Sequence, residues 1–225
     1  MLWYKYWLET RWRLVLVLVV FGLPLFAASR NAGATVANLT ASISVLWIVT
    51  ASMTAGTGIK TQSATLGTVK GLHNSTYFTL SLPVRRSTLF GIRTIVGLSV
   101  MLVAMLVTSC GICLVLGSAK ADVTLAEAVG IGLAMFVCCL AFYFMSSLLS
   151  IYLDAQWQLY GSMLVAGIGW WLTRSIHSPF NLYRPFGEAL PFVTHIVPWE
   201  AMVTSVAVAA VLIVVTLRII ETREF

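Results

Sequence analysis

Long apolar runs separated by short polar connections make up most of this chain. Six runs are long enough to consider as spans: Leu14 to Ala28, Ala34 to Ile59, Thr94 to Gly117, Ala128 to Leu153, Trp157 to Thr173 and Ala201 to Leu217. Crossing the roughly 30 Å of bilayer hydrocarbon takes about 20 helical residues. The first and fifth runs are short for this, and the fourth is long enough to tilt. Barrel strands would alternate apolar and polar residues over about ten positions. Leu14 to Val20 and Val208 to Val215 are instead continuously apolar. The pattern predicts an all-α membrane protein with six transmembrane helices, a single transmembrane domain over residues 1–225.

Composition agrees with the pattern. Of 225 residues, 59% are hydrophobic and only 10% are charged, and the mean hydropathy is +0.92. A soluble domain carries about 25% charged residues, so this chain lacks the charge to cover a water-facing surface. The net charge of +6 therefore bears on orientation, and no nucleic-acid partner is expected. Cytoplasmic connections are enriched in Lys and Arg. With the N-terminus inside, the inner face holds Lys5, Arg11, Arg13, Lys60, Lys70, Arg85, Arg86, Arg93, Arg218 and Arg223. The outer face holds only Arg30, Lys120, Arg174 and Arg184. Acidic residues divide evenly, with Glu9, Asp154, Glu221 and Glu224 inside and Asp122, Glu127, Glu188 and Glu200 outside. The positive excess is then wholly cytoplasmic. This places a multi-pass protein in the cytoplasmic (inner) membrane with both termini inside.

The N-terminal segment is aromatic and basic. Phe26-Ala27-Ala28-Ser29 would suit a signal-peptide cleavage site, but the preceding region is unlike a signal sequence. Trp3, Tyr4, Trp7 and Trp12 read better as anchors of an amphipathic helix lying along the inner leaflet at headgroup depth. The segment is expected to be retained.

One inner connection is long. Lys60 to Arg93 carries five basic residues, His73 and no acid. Pro83 suits the first turn of a helix and pushes Leu82 towards an extended conformation. A short helix is expected to start there, with Leu82, Leu89, Phe90 and Ile92 making apolar contacts and Arg85, Arg86 and Arg93 at the membrane surface. A basic loop gripping anionic lipid is the alternative.

An aromatic amphipathic start, six spans, an inner loop containing Ser81-Leu82-Pro83-Val84-Arg85-Arg86 and a charged tail Glu221-Thr-Arg-Glu-Phe225 resemble the membrane subunit of a type 2 ABC transporter of the exporter type. The likeness covers the whole chain in layout and is most specific over Leu80 to Arg93. In that family this loop forms a coupling helix seated in a cleft of the ATPase subunit. The resemblance therefore implies that Ser81, Leu82, Pro83, Val84, Arg85 and Arg86 contact an ABC ATPase. Family members often carry an acidic residue early in the loop, where this chain has Gln62-Ser-Ala-Thr-Leu-Gly67-Thr-Val-Lys70. No Gly is followed at the required spacing by Gly-Lys-Ser or Gly-Lys-Thr, so no phosphate-binding loop is present. ATP and Mg would belong to the partner, with no cofactor in this chain and no enzymatic activity of its own. A homodimer of this chain with two ATPases is the assembly implied.

Within the spans, the second is rich in small and hydroxyl residues, including Thr50, Ser52 and Thr54. These suit close helix packing or a weakly polar lining for a translocation path. No span carries an ionisable side chain clearly at its middle, which argues against a proton-coupled carrier and fits a lipophilic or amphipathic cargo. Asp154, followed by Gln156, Trp157 and Gln158, suggests a tight inner turn. Cys110, Cys113, Cys138 and Cys139 read as small packing residues, since thiols in apolar surroundings are poor ligands and nucleophiles; a thiolate-bound copper site is the alternative. The Asn38-Leu-Thr40 and Asn74-Ser-Thr76 triplets read as chance matches to glycosylation acceptors.

The outer connection from Arg174 to Glu200 holds four of the six prolines, with Phe180, Tyr183, Phe186, Phe192 and Trp199. Such an apolar, broken stretch predicts short helices re-entering the outer leaflet before the last span, covered by protein where the backbone is irregular. His177, His195 and Glu188 are too loosely spaced to read as a metal site. Two rival functions fit the same chain. One is a non-transporting subunit that transmits force from the ATPase to another protein. The other is an intramembrane enzyme using Ser146, Ser147 or Cys110, which would need an activating base that no span supplies.

Overall fold

The computed structural model describes residues 7, 15, 17–19, 22–23, 36–55, 86–121, 124–153, 155–173, 176, 178–187 and 191–222. Among them the only regular elements are helices: α1 (Val36–Thr54), α2 (Arg86–Ala121), α3 (Leu125–Leu149), α4 (Ala155–Thr173), a 3-10 turn (Arg184–Phe186), α5 (Pro191–Thr194) and α6 (Trp199–Thr222). The chain is thus all-helical where described. Three stretches are long and apolar enough to cross a bilayer: Ser87–Leu114, Leu125–Leu149 and Trp199–Thr222. They correspond to the third, fourth and sixth predicted spans. The second and fifth fall on α1 and α4, each of 19 residues. Of the first, Val15, Val17, Leu18, Val19, Gly22 and Leu23 are described and helical, with Val17 buried.

Helix boundaries follow local chemistry. Thr124 caps α3: its Oγ1 accepts the Glu127 N–H at 3.3 Å, while Glu127 Oε2 accepts the Thr124 N–H at 2.7 Å. This reciprocal box satisfies two backbone donors left open by the helix start. At the other end α3 gives way to a turn in which the Ser150 and Leu153 N–H groups donate to Ser146 and Leu149 carbonyls at 3.0 and 2.9 Å. Helix α4 starts immediately afterwards, so the tight turn expected near Asp154 is present, Asp154 itself lying outside the described residues.

The third span differs from expectation. A short helix starting at Pro83 was expected to precede a separate span from Thr94. Residues 81–85 lie outside the described residues, but from Arg86 to Ala121 the helix runs unbroken for 36 residues. Nothing between those points stops it. The stretch has no proline, its glycines are isolated, and Leu89, Phe90 and Ile92 continue the apolar pattern into the span. At 1.5 Å per residue α2 is about 54 Å long, well over the hydrocarbon thickness.

Helix α3 occupies the centre, packing against α6, α2, α1 and α4. Ala141, Phe142, Tyr143 and Phe144 are all buried. Successive helical residues turn by about 100°, so four buried neighbours in a row mean that α3 is enclosed on every side at that level. Nearer its start, Val129, Gly130 and Leu133 are exposed. The core around α3 includes Trp47 of α1, Met101, Met105 and Ile112 of α2, Met135 of α3 and Ala209 of α6. By contrast α4 presents Trp157, Tyr160, Leu164, Ile168 and Trp171 outward. These lie three or four residues apart, an apolar stripe on one face with aromatic side chains at both ends.

The outer connection folds back onto the helices. The 3-10 turn packs on α1, and α5 packs on α1 and α3. Pro185, Phe186 and Pro191 are buried. His195 adopts the left-handed region at φ 54° and ends α5, its N–H donating to the Pro191 carbonyl at 3.0 Å.

Candidate functional site

Residues Ala141 to Ser146 of α3 gather contacts from every element around them. The first is made with α6. Ser205 Oγ accepts the Ala141 N–H at 3.2 Å and donates to the Val137 carbonyl at 2.8 Å, with the Cys138 carbonyl at 3.0 Å. Val137 and Ala141 are the two ends of one step in the α3 hydrogen-bond ladder, so the Ser205 hydroxyl is inserted across that step. Side chains placed in this way are a recognised cause of helix bending.

Phe142 meets the outer connection. Its ring lies edge-on to Tyr183 and Phe186, with centroids 5.3 and 5.7 Å away, and Tyr183 in turn meets Trp170 of α4 at 6.0 Å. Such edge-to-face pairs are each worth about 0.5–1.5 kcal/mol beyond their burial. Glycine makes room for them. A Cβ on Gly169 would collide with the Tyr183 hydroxyl, and one on Gly187 would come within 3.0 Å of the Trp170 ring. Asn181 fastens the turn: its Nδ2 donates to the Thr173 and Ile176 carbonyls at 3.1 Å each, and its Oδ1 accepts the Tyr183 N–H at 3.1 Å. One amide thus satisfies two carbonyls at the end of α4 and the start of the connection.

Tyr143 faces α2. Its hydroxyl donates to the Thr94 carbonyl at 3.2 Å. It sits over Gly97, where an added Cβ would collide with the phenol oxygen and come within 2.7 Å of the Thr54 carbonyl of α1. Three helices therefore converge at Gly97.

Ser146 joins α1 and α4. Its hydroxyl donates to the Ser52 carbonyl at 3.0 Å and accepts from Gln158 Nε2 at 3.1 Å, with Ser162 Oγ 2.9 Å away and sharing its one proton with the Gln158 carbonyl at 2.6 Å. A hydroxyl offers one donor and two acceptor positions; here the donor and one acceptor are filled, and the second acceptor shares the Ser162 proton with the Gln158 carbonyl. Gln158 Nε2 also reaches the Ser146 carbonyl at 3.2 Å. Ser52, Ser146, Gln158 and Ser162 are at most 3% exposed. Hydrogen bonds between membrane helices are worth about 0.6–2 kcal/mol each. The partners of Ser146 are all neutral, and none is a base suited to activating it for attack.

Of the residues singled out in the sequence, Thr50, Ser52 and Thr54 are at most 2% exposed. Thr50 and Thr54 donate to the carbonyls four residues earlier, Leu46 and Thr50, at 2.8 and 2.9 Å. Ser52 Oγ has no hydrogen-bond partner among the described residues. In this conformation all three are turned into the protein. Arg86 is the first residue of α2, while Ser81, Leu82, Pro83, Val84 and Arg85 lie outside the described residues. Trp7 is helical and exposed; Trp3, Tyr4 and Trp12 lie outside. Cys113, Cys138 and Cys139 are buried. Among the described residues no three His, Cys, Asp or Glu side chains converge on a point.

Gln158 and Ser205 were not foreseen as site residues. A Gln within an apolar helix is itself a signal, because its amide needs partners in hydrocarbon. Ser205 gave none, since a serine in a membrane helix ordinarily bonds its own backbone. Comparison with protein-family models, curated proteins and solved structures returns no match.

Proposed function

We propose that this chain is the membrane subunit of a type 2 ABC exporter, driven by a separate ATPase and moving a lipophilic or amphipathic substrate. The observation that carries the reading is the Ser81-Leu-Pro-Val-Arg-Arg86 motif placed directly before α2, a helix unbroken from Arg86 to Ala121. A displacement imposed at Arg86 would pass along an unbroken helix into the core. The reading includes six spans, both termini cytoplasmic, a coupling contact over Ser81 to Arg86 and two copies of this chain with two ATPases.

Two further observations support it. The outer connection reaches Phe142, which lies about 26 Å along α3 from Leu125 at 1.5 Å per residue, so the loop descends beside the helices as a re-entrant segment would. The hydroxyls of Thr50, Ser52 and Thr54 are covered by protein, so a path lined by them opens only when α1 moves away from α3. In this reading ATP binding by the partner drives that separation.

The test is co-purification from native membranes. Wild-type chain is expected to retain an ATPase and stimulate its turnover, and Arg85→Glu with Arg86→Glu is expected to lose both. Unchanged association and turnover in the double variant would overturn the coupling contact. Sealed vesicles that hydrolyse ATP yet accumulate no substrate would replace transport by transmission of force to another protein.

A further inference from the structure

Helix α2 enters the bundle at one defined point. From Arg86 to Thr94 its residues are partly covered or exposed wherever burial is defined, and Val96 and Gly97 are the first buried ones. At that point the Tyr143 hydroxyl donates to the Thr94 carbonyl at 3.2 Å. Gly97 lets the phenol oxygen and the Thr54 carbonyl come closer than any side chain would allow. Tyr143 is 1% exposed and Thr94 is partly covered, so the bond lies at the edge of the buried core. The basic stretch Arg86 to Arg93 lies on one side of this contact, and the core on the other.

We infer that Tyr143 is a positioning residue for energy coupling: its bond to Thr94 over Gly97 passes movement of the inner end of α2 to α3, and at the same point to the end of α1. The inference rests on the proposed ATPase partnership and adds the contact by which it would work. The same helix carries Ser146 one turn further on, bonded to α1 and α4. Movement of α3 at Tyr143 would therefore be felt by the hydroxyl face of α1, the face proposed to open.

Full-length chain in lipid nanodiscs separates the possibilities, using Tyr143→Phe to remove only the hydroxyl. Backbone amides of Ile95 to Leu98 are expected to exchange hydrogen about tenfold faster in the variant, the effect of losing one part-buried hydrogen bond on local opening. Unchanged exchange would overturn the link. With the co-purified ATPase present, the variant is expected to keep wild-type association and lose about tenfold in stimulated turnover, the same single-bond magnitude. Retained turnover would overturn the coupling role. So would a parallel loss of association, turnover and thermal stability, which marks a residue needed only for folding. Tyr143→Leu, which also removes the ring, is expected to lower thermal stability further than Tyr143→Phe. If wild-type chain retains no ATPase, the proposed partnership fails, while the exchange measurement still decides whether Tyr143 links the helices.

Discussion

Single hydroxyl and amide groups decide how these helices meet. The Ser146 hydroxyl has three polar neighbours from α1 and α4 within hydrogen-bonding distance. Removing one partner of a buried bond leaves the others unsatisfied at about 1–3 kcal/mol, whereas replacing both partners by apolar groups can be nearly neutral. Ser146→Ala is therefore expected to destabilise the chain by about that amount, read as a lower unfolding midpoint in nanodiscs. Combining it with Gln158→Leu should recover part of the loss. A double variant destabilised by the full sum of its single changes would show that Gln158 acts independently of Ser146. From the sequence, Ser146 stood out only as a nucleophile without a base, because the residues that bond to it lie on other helices, far away in the chain.

At the scale of elements, apolar runs located the helices and missed where some of them join. The break expected after Arg93 is absent because the stretch from Arg86 to Ala121 contains no proline to stop the helix. The outer connection was legible as irregular, apolar and proline-rich. Its fastening by Asn181 was not, since that depends on a turn bringing one amide back to Thr173 and Ile176. Asn181→Ala removes both donors and the Tyr183 acceptor. Faster hydrogen exchange is expected across residues 176–187, with α3 exchange unchanged. Equal exchange in the two proteins would mean that the aromatic contacts alone hold the connection.

For the whole molecule, composition indicated a membrane and charge placement an orientation. Orientation can be read by cysteine labelling of intact cells with a membrane-impermeant maleimide. Thr88 and Phe180 are both exposed, and the charge placement assigns them to opposite faces of the membrane. Phe180→Cys is expected to react and Thr88→Cys to react only after permeabilisation, with the native thiols as background. The reverse result would invert the topology. What the sequence could not supply is the central place of α3, because α3, α2 and α6 are all long apolar segments. Their ranking depends on which helix meets small residues and hydroxyls on every side.

That central place has a consequence for biogenesis. The chain is made from the N-terminus, so α3 leaves the ribosome ahead of α4 and α6. Its Val137 and Cys138 carbonyls meet the Ser205 hydroxyl only after 67 or 68 further residues have been added, and Ser146 must likewise await Gln158 and Ser162. Until then the helix that will become the most enclosed can pack only on α1 and α2, with Phe142 still lacking Tyr183 and Phe186. Maturation of this protein is therefore a late closure around an early helix, completed only when α6 arrives.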